Sequence, residues 1–330
     1  MAGLRHVLIG IGGLAIGGVL LWLSLRAFEP AVFSAMLAGL DARGLLLAGA
    51  AYWSGLWVRA VRWGVLIGRL QTVAGPAVLE TLLVGYGANN LLPARLGELV
   101  RADYGKRVLG VSRSRLLGTI VLERVLDLTA VLGCLGLGLA LGAVEAGERF
   151  TTIVHDVVLH GAAVVAVVWG GILLCRRRLP RLRSMGQTRM LREVLEGFTS
   201  LDRRTALTSG MLTFVVWGCE CLALWCVFQA FGTSLEMGQL TLLLGVSTLS
   251  TLVPTAPGYV GSYQLVFVLA MAAFGIAETV GLVVATAIQL CLFGSVTLVA
   301  LGVYAMRATL QAREHLRVRA VPGPEKASHG

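Results

Sequence analysis

Asn89-Asn90-Leu91-Leu92-Pro93-Ala94-Arg95-Leu96-Gly97-Glu98 breaks an otherwise largely apolar region, residues 77–109. The piece on either side of the break is shorter than the roughly 20 residues a helix needs to cross the hydrocarbon core, yet long enough for half of it. A second region, residues 238–275, repeats the arrangement around Ser250-Thr251-Leu252-Val253-Pro254-Thr255-Ala256-Pro257-Gly258. Each break reads as a polar pair, two aliphatic residues, proline, three residues and glycine. Backbone that leaves the helix at membrane depth is tolerated only where protein or a water-filled cavity satisfies its N–H and C=O groups. Both regions are therefore expected to be re-entrant helical hairpins with the Pro/Gly segment at the tip.

The surroundings demand a bilayer. Of 330 residues, 56% are hydrophobic and 14% charged, against roughly 25% charged in an ordinary soluble domain. The mean hydropathy is +0.80. Long apolar runs occupy residues 7–25, 44–68, 116–141, 157–175, 206–231 and 279–306. They do not alternate, which excludes a β-barrel. The first run has no A-x-A-like site after it, where the chain continues Arg26-Ala27-Phe28-Glu29-Pro30, so it is expected to be a retained helix. The predicted fold is an all-α polytopic membrane protein with about six transmembrane helices plus the two hairpins.

Charge orients the spans. Residues 176–204 hold nine arginines against Glu193, Glu196 and Asp202 and are expected in the cytoplasm. Residues 145–156 carry Glu145, Glu148 and Asp156 against Arg149 and suit the outside. Arg59, Arg62 and Arg69 place the end of the second span inside, as Arg307, Arg313, Arg317 and Arg319 do for the tail. Both termini are then cytoplasmic, in a prokaryotic inner membrane. The first hairpin enters from the cytoplasm and the second from outside. This describes one integral membrane domain, residues 1–306, with inverted halves at 1–143 and 155–306. A cytoplasmic basic linker covers residues 176–205, and residues 307–330 form a basic, disordered tail. Interrupted segments at matching positions of inverted halves point to a midplane binding site in secondary transporters.

The first hairpin carries the most informative polar residues. Asn89 and Asn90 offer amides to a polar head group. Arg95 and Arg101 offer forked donors that fit phosphate oxygens bidentately. Glu98 lies three residues from each and can hold either. Lys106 and Arg107 read as a snorkelling edge. Arg124 and Asp127, deep in the third span, form either a self-contained pair or a substrate contact. Glu220, in the middle of the fifth span with no base nearby in sequence, is either a neutral acid bonded to another helix or a proton-coupling group. Arg59 and Arg62, flanked by Trp57 and Trp63, look like an interface anchor.

Other chemistries find little support. The five histidines are not clustered. Neither a G-x-S-x-G nor a Walker motif occurs, so an enzyme centre is not expected, although one carboxylate could still serve as the base of an intramembrane glycosyl transfer. The six cysteines lie within or at the ends of apolar runs, without C-x-x-C spacing, and read as packing residues. No metal or cofactor is called for. Arginines at the ends of apolar segments fix topology rather than bind nucleic acid.

The segment Asn90 to Glu98, followed by Arg101, resembles a signature of the membrane domain of lysyl-phosphatidylglycerol synthases, which also occurs alone in flippase-like proteins. Arg59-Ala60-Val61-Arg62-Trp63 and Glu123-Arg124-Val125-Leu126-Asp127 match further stretches. Pro254-Thr255-Ala256-Pro257-Gly258-Tyr259-Val260-Gly261 resembles the family's second, glycine-rich signature. The likeness covers about residues 45–305. It implies a flippase or transporter for an anionic phospholipid or a lipid-linked sugar, without aminoacylation of the lipid. It also adds Pro93, Pro254, Pro257, Gly258 and Gly261 to the candidate site. The alternatives are an intramembrane transferase acting on a polyprenyl phosphate, and a scaffold for lipid-synthesis enzymes. The expected partner is an anionic membrane lipid, with a second copy of the chain or lipid-synthesis enzymes as further candidates. One departure stands out: Gln264 occupies a position where the family commonly has glutamate.

Overall fold

The computed structural model describes residues 2–92, 95–142, 148–182, 189–198, 201–253 and 255–320. Pro93 and Pro254 lie outside them, as do residues 183–188 and 199–200 of the basic linker and residues 321–330 of the tail. Among the described residues the regular structure is all helical. The helices are α1 (Ala2–Leu25), α2 (Pro30–Ala38), α3 (Ala42–Gly68), α4 (Gly75–Leu91), α5 (Gly97–Leu109), α6 (Arg113–Ala140), α7 (Glu148–Leu182), α8 (Arg189–Phe198), α9 (Arg203–Ala230), α10 (Met237–Ser250), α11 (Ser262–Ala273), α12 (Glu278–Ala287) and α13 (Gly294–Ala320).

Local chemistry sets the ends. Asp41 caps α3 by accepting from the Arg43 amide at 2.9 Å. Asp202 caps α9 by accepting from the Thr205 amide at 2.7 Å, and this bond holds the Asp202 carboxyl below its usual range. Pro76 opens α4 within its first turn, where its missing N–H costs nothing. Gly110, at φ 70°, closes α5 in the left-handed conformation.

Among the described residues three helices are long and apolar enough to cross a membrane: Phe150–Arg177, Arg203–Ala230 and Glu278–Leu310. Gly12–Leu25 and Pro30–Ala38 qualify only as a pair, bent by 85° at the 26–29 break. The single straight span read at residues 7–25 is thus extended by a second, sharply turned helix, because Pro30 starts a new one. The spans at 44–68 and 116–141 are long helices, α3 and α6, but both carry several charges. Arg59 and Arg62 of α3 face Glu123 and Asp127 of α6 inside the bundle.

The first broken region folds back on itself. Gly97, at the start of α5, lies so close to the end of α4 that a Cβ there would sit 2.3 Å from the Gly85 carbonyl oxygen. Farther from the tip, Tyr104 of α5 donates to Glu80 of α4 at 2.5 Å. In the second region α10 and α11 pack on each other around a 3-10 turn at Pro257–Tyr259. The long helix α3 lies along α9, α4 lies on α13, and α10 lies on α6. Helix α8 seats on α6, where Gly118 and Gly197 let the two backbones meet.

Two features differ from expectation. The last span is interrupted by a π turn, Ile288–Phe293, between α12 and α13. Helix α13 continues to Ala320, so the start of the supposed disordered tail is helical. Arg307 of α13 grips Glu80 of α4 through Nε at 2.6 Å and Nη2 at 2.7 Å, tying this end to α4.

Gly261 shows how tightly the second region is built. It sits at φ 92°, and a Cβ there would lie 2.1 Å from the Gly17 carbonyl oxygen of α1. Gly261→Ala is expected to lower the unfolding midpoint in detergent, since overpacking of this kind costs about 1–3 kcal/mol. An unchanged midpoint would show that α1 yields freely.

Candidate functional site

Helices α3, α6 and α9 place complementary charges on facing sides. Arg59 and Arg62 share one face of α3, and Glu123 and Asp127 share one face of α6. Arg62 is fully buried, donating from Nη2 to Glu123 at 3.2 Å and from Nη1 to Thr213 at 2.9 Å. Its Nη1 also lies 2.8 Å from Asp127 Oδ1. Arg59 donates to Asp127 at 3.4 Å and to Glu220 at 3.0 Å. Buried charges survive only when paired in this way. Arg59 and Arg62 are therefore not an interface anchor. Their flanking tryptophans mislead, because Trp63 itself is fully buried and donates to Thr119 at 3.1 Å.

The network continues into the first hairpin. Arg101 Nη1 lies 2.9 Å from Glu123 Oε2, and its guanidinium sits over the Trp63 ring at 3.7 Å. Arg124 reaches Asp127 at 3.4 Å, Glu123 at 3.7 Å and Glu98 at 3.7 Å. Glu98 thus faces Arg124, not Arg95 or Arg101. Glu220, alone in sequence, is held by Arg59.

Part of this network, Arg59, Glu98, Arg124, Asp127 and Glu220, borders a cavity of about 370 Å³, within the ~300–1,000 Å³ typical of small-molecule sites. Of the residues picked from the sequence, Asn89, Asn90, Arg95, Glu98, Arg124, Asp127 and Glu220 line it. Arg101 does not; it is 3% exposed and turned toward Glu123. Pro257, Gly258 and Gly261 are also absent from the lining and act through the backbone around it. Sequence reasoning missed Arg59 as a lining residue, together with an aromatic wall of Tyr52, Tyr86, Trp217, Tyr259, Tyr263 and Phe293. Tyr52, Tyr259 and Tyr263 surround Phe293 with ring centroids 6.2, 6.4 and 5.6 Å away. Single aromatic residues on apolar helices carry no local mark of such convergence.

Residues of both broken regions line this cavity, Asn89, Asn90 and Arg95 from the first and Thr251, Leu252 and Tyr259 from the second. Asn90 Nδ2 donates to the Phe293 carbonyl at 3.1 Å and to Thr297 at 3.0 Å. Gln289, in the π turn, donates to the Gly258 carbonyl at 2.9 Å and also receives a short bond from Gln264 Nε2. Gln264 Oε1 accepts from the Gly261 amide at 2.8 Å. The amide at 264 thus both donates and accepts, which a carboxylate could not do. Arg95, at φ 54°, reaches across to the second tip. Its Nε donates to the Thr251 carbonyl at 3.1 Å, and its Nη2 bonds the Thr251 hydroxyl. Among the described residues Arg95 has no carboxylate partner. Asn89 Oδ1, Tyr86 OH and Trp217 Nε1, all of residues in the lining, have no hydrogen-bond partner among the described residues. No group of three metal-ligating side chains occurs among the described residues.

Apolar helices around a charged internal cavity define a helical membrane protein with a polar site inside its bundle. The chain belongs to the family described as the lysylphosphatidylglycerol synthase TM region, whose model matches residues 10–300. It is 26% identical over 298 residues to a UPF0104 membrane protein of Pyrococcus horikoshii, covering 80% of this chain and 85% of that one. A UPF0104 membrane protein of Methanothermobacter thermautotrophicus is 25% identical over 248 residues, covering 67% of this chain and 70% of its own. No solved structure matches the chain.

Proposed function

We propose that this protein is a flippase that carries the head group of a phosphate-bearing lipid between the leaflets of a prokaryotic cytoplasmic membrane. One observation carries the reading: the cavity between the two hairpin tips contains an arginine with no carboxylate partner among the described residues. An arginine fork suits phosphate, and the aromatic wall suits the glycerol and upper chain of a lipid. The family, that of a phospholipid synthase's membrane region, is consistent with a lipid as cargo.

The architecture that supports transport is six crossings and two re-entrant hairpins in an inverted repeat. Packing is reciprocal in the way such a repeat requires. Helix α4 of the first half lies on α13 of the second, and α10 of the second lies on α6 of the first. Likewise α2 touches α12, and α8 touches α6. Broken helices at matching positions mark the substrate site in such folds. Glu220, paired with Arg59 in this state, is the candidate for proton coupling.

Purified protein in liposomes should move a tail-labelled anionic phospholipid between leaflets, read by quenching of the outer leaflet. Absence of leaflet exchange contradicts the reading, and product formation from an activated sugar would replace it with the transferase. For topology, Met190→Cys on a cysteine-free background should resist an impermeant thiol reagent added to intact cells, because the nine arginines of residues 176–204 favour the cytoplasmic side. Labelling from outside reverses the orientation.

A further inference from the structure

We propose that Arg95 is a phosphate-operated latch between the two hairpin tips, released from Thr251 when the head group's phosphate binds. The inference rests on the reading that the cavity takes a phosphate-bearing lipid. It adds that binding and opening are one event at one side chain.

Arg95 is the only direct side-chain tie from the first tip to the second that the described residues contain. It uses its Nε–Nη2 edge, one of the two edges with which a guanidinium grips phosphate bidentately. Its present partners are a neutral carbonyl and a neutral hydroxyl. Bonds to an ionised phosphate are roughly twice as strong as neutral ones, so the exchange favours the ligand. The other cavity arginines are occupied differently. Arg59 is held by Asp127 and Glu220, and Arg124 by Asp127, Glu123 and Glu98.

The tips have separate moorings, so losing the latch does not unfold them. Asn90 fastens the first to Phe293 and Thr297, and Gln289 fastens the second at Gly258. Arg95 itself is held at φ 54°, in the left-handed region that side chains rarely adopt. Thr251 also has a local partner of its own, since its hydroxyl donates to the Thr248 carbonyl at 2.6 Å.

If the latch competes with phosphate, weakening it from the Thr251 side must strengthen ligand binding. A purely structural contact would do the reverse or nothing. The probe is dihexanoylphosphatidylglycerol, a soluble phosphodiester lipid, titrated into the purified full chain. Thr251→Val is expected to bind it about two- to tenfold more tightly than the parent, the worth of one hydrogen bond. Thr251→Ser, which keeps the hydroxyl, is expected to match the parent, and Arg95→Ala to lose binding. Spin labels at positions 91 and 252, both exposed near the tips, should move apart when the probe is added to a cysteine-replaced chain. Equal or weaker binding by Thr251→Val, or an unchanged label separation, overturns the latch even if liposomes show leaflet exchange. Tighter binding by Thr251→Val with no leaflet exchange supports the latch and removes the transport reading. Absence of binding to both parent and Thr251→Val removes both.

Discussion

Glu123→Ala is expected to unfold or fail to accumulate. Glu123 has no exposed surface. It accepts from Arg62 at 3.2 Å, lies 2.9 Å from Arg101 and 3.7 Å from Arg124. Removing it leaves the buried Arg62 with Asp127 and Thr213 alone, and leaves the buried Arg101 against the Trp63 ring without the carboxylate it faces. Breaking one side of a buried ion pair costs about 3–5 kcal/mol, because the survivor stays buried and uncompensated. That is a large part of a typical stability of ~5–15 kcal/mol. Glu123→Gln keeps the shape and one acceptor and is expected to fall between. Unfolding midpoints in detergent, with size-exclusion profiles, check the order. A Glu123→Ala protein as stable as the parent would mean that water reaches this network.

Arg95→Ala should behave in the opposite way, with the fold kept and the activity lost. The side chain borders the cavity and is only partly buried, and its partners are the Thr251 carbonyl and hydroxyl. Its removal strands no buried charge. Losing a charge-assisted contact to phosphate costs about 1.5–3 kcal/mol, or roughly ten- to a hundredfold in affinity. Leaflet exchange at subsaturating lipid should fall by a similar factor. Arg95→Lys keeps the charge but loses the fork, and it should remain impaired. Arg101→Ala offers the contrast. It is expected to lower stability through Glu123 before it touches transport, because Arg101 faces away from the cavity. Glu98→Gln should be milder than either, since Glu98 stands 3.7 Å from Arg124 at the rim of the network. Matched, monodisperse protein is needed for each comparison. Wild-type exchange by Arg95→Ala would take the phosphate role away from this residue.

The helices were legible because run length and periodic apolarity act locally. The two breaks were legible because Pro, Gly and paired polar residues mark places where the backbone leaves the helix. What sequence hid was pairing at a distance. Glu220 has no base near it in the chain, and its partner Arg59 lies 161 residues away. A usable signal did exist. Two arginines spaced three apart on α3 and two acids spaced four apart on α6 present single charged faces that suit each other better than lipid. The neighbouring tryptophans drew Arg59 and Arg62 toward an interface reading instead. Arg101 was drawn toward phosphate because it follows the signature, while spacing alone does not tell which side of α5 faces Glu123. The π turn at Ile288–Phe293 left no mark, since an inserted residue in an apolar helix changes neither composition nor length enough to notice.

The lipid that the protein carries out of its own membrane tests the central claim most directly. The parent and Arg95→Ala should be purified side by side in the same mild detergent, and their bound lipids identified by mass spectrometry. The account predicts one phosphate-bearing lipid class enriched on the parent over the bulk membrane extract and reduced at least tenfold on Arg95→Ala. The same lipids in the same amounts on both proteins, or enrichment of a lipid without phosphate, would contradict it.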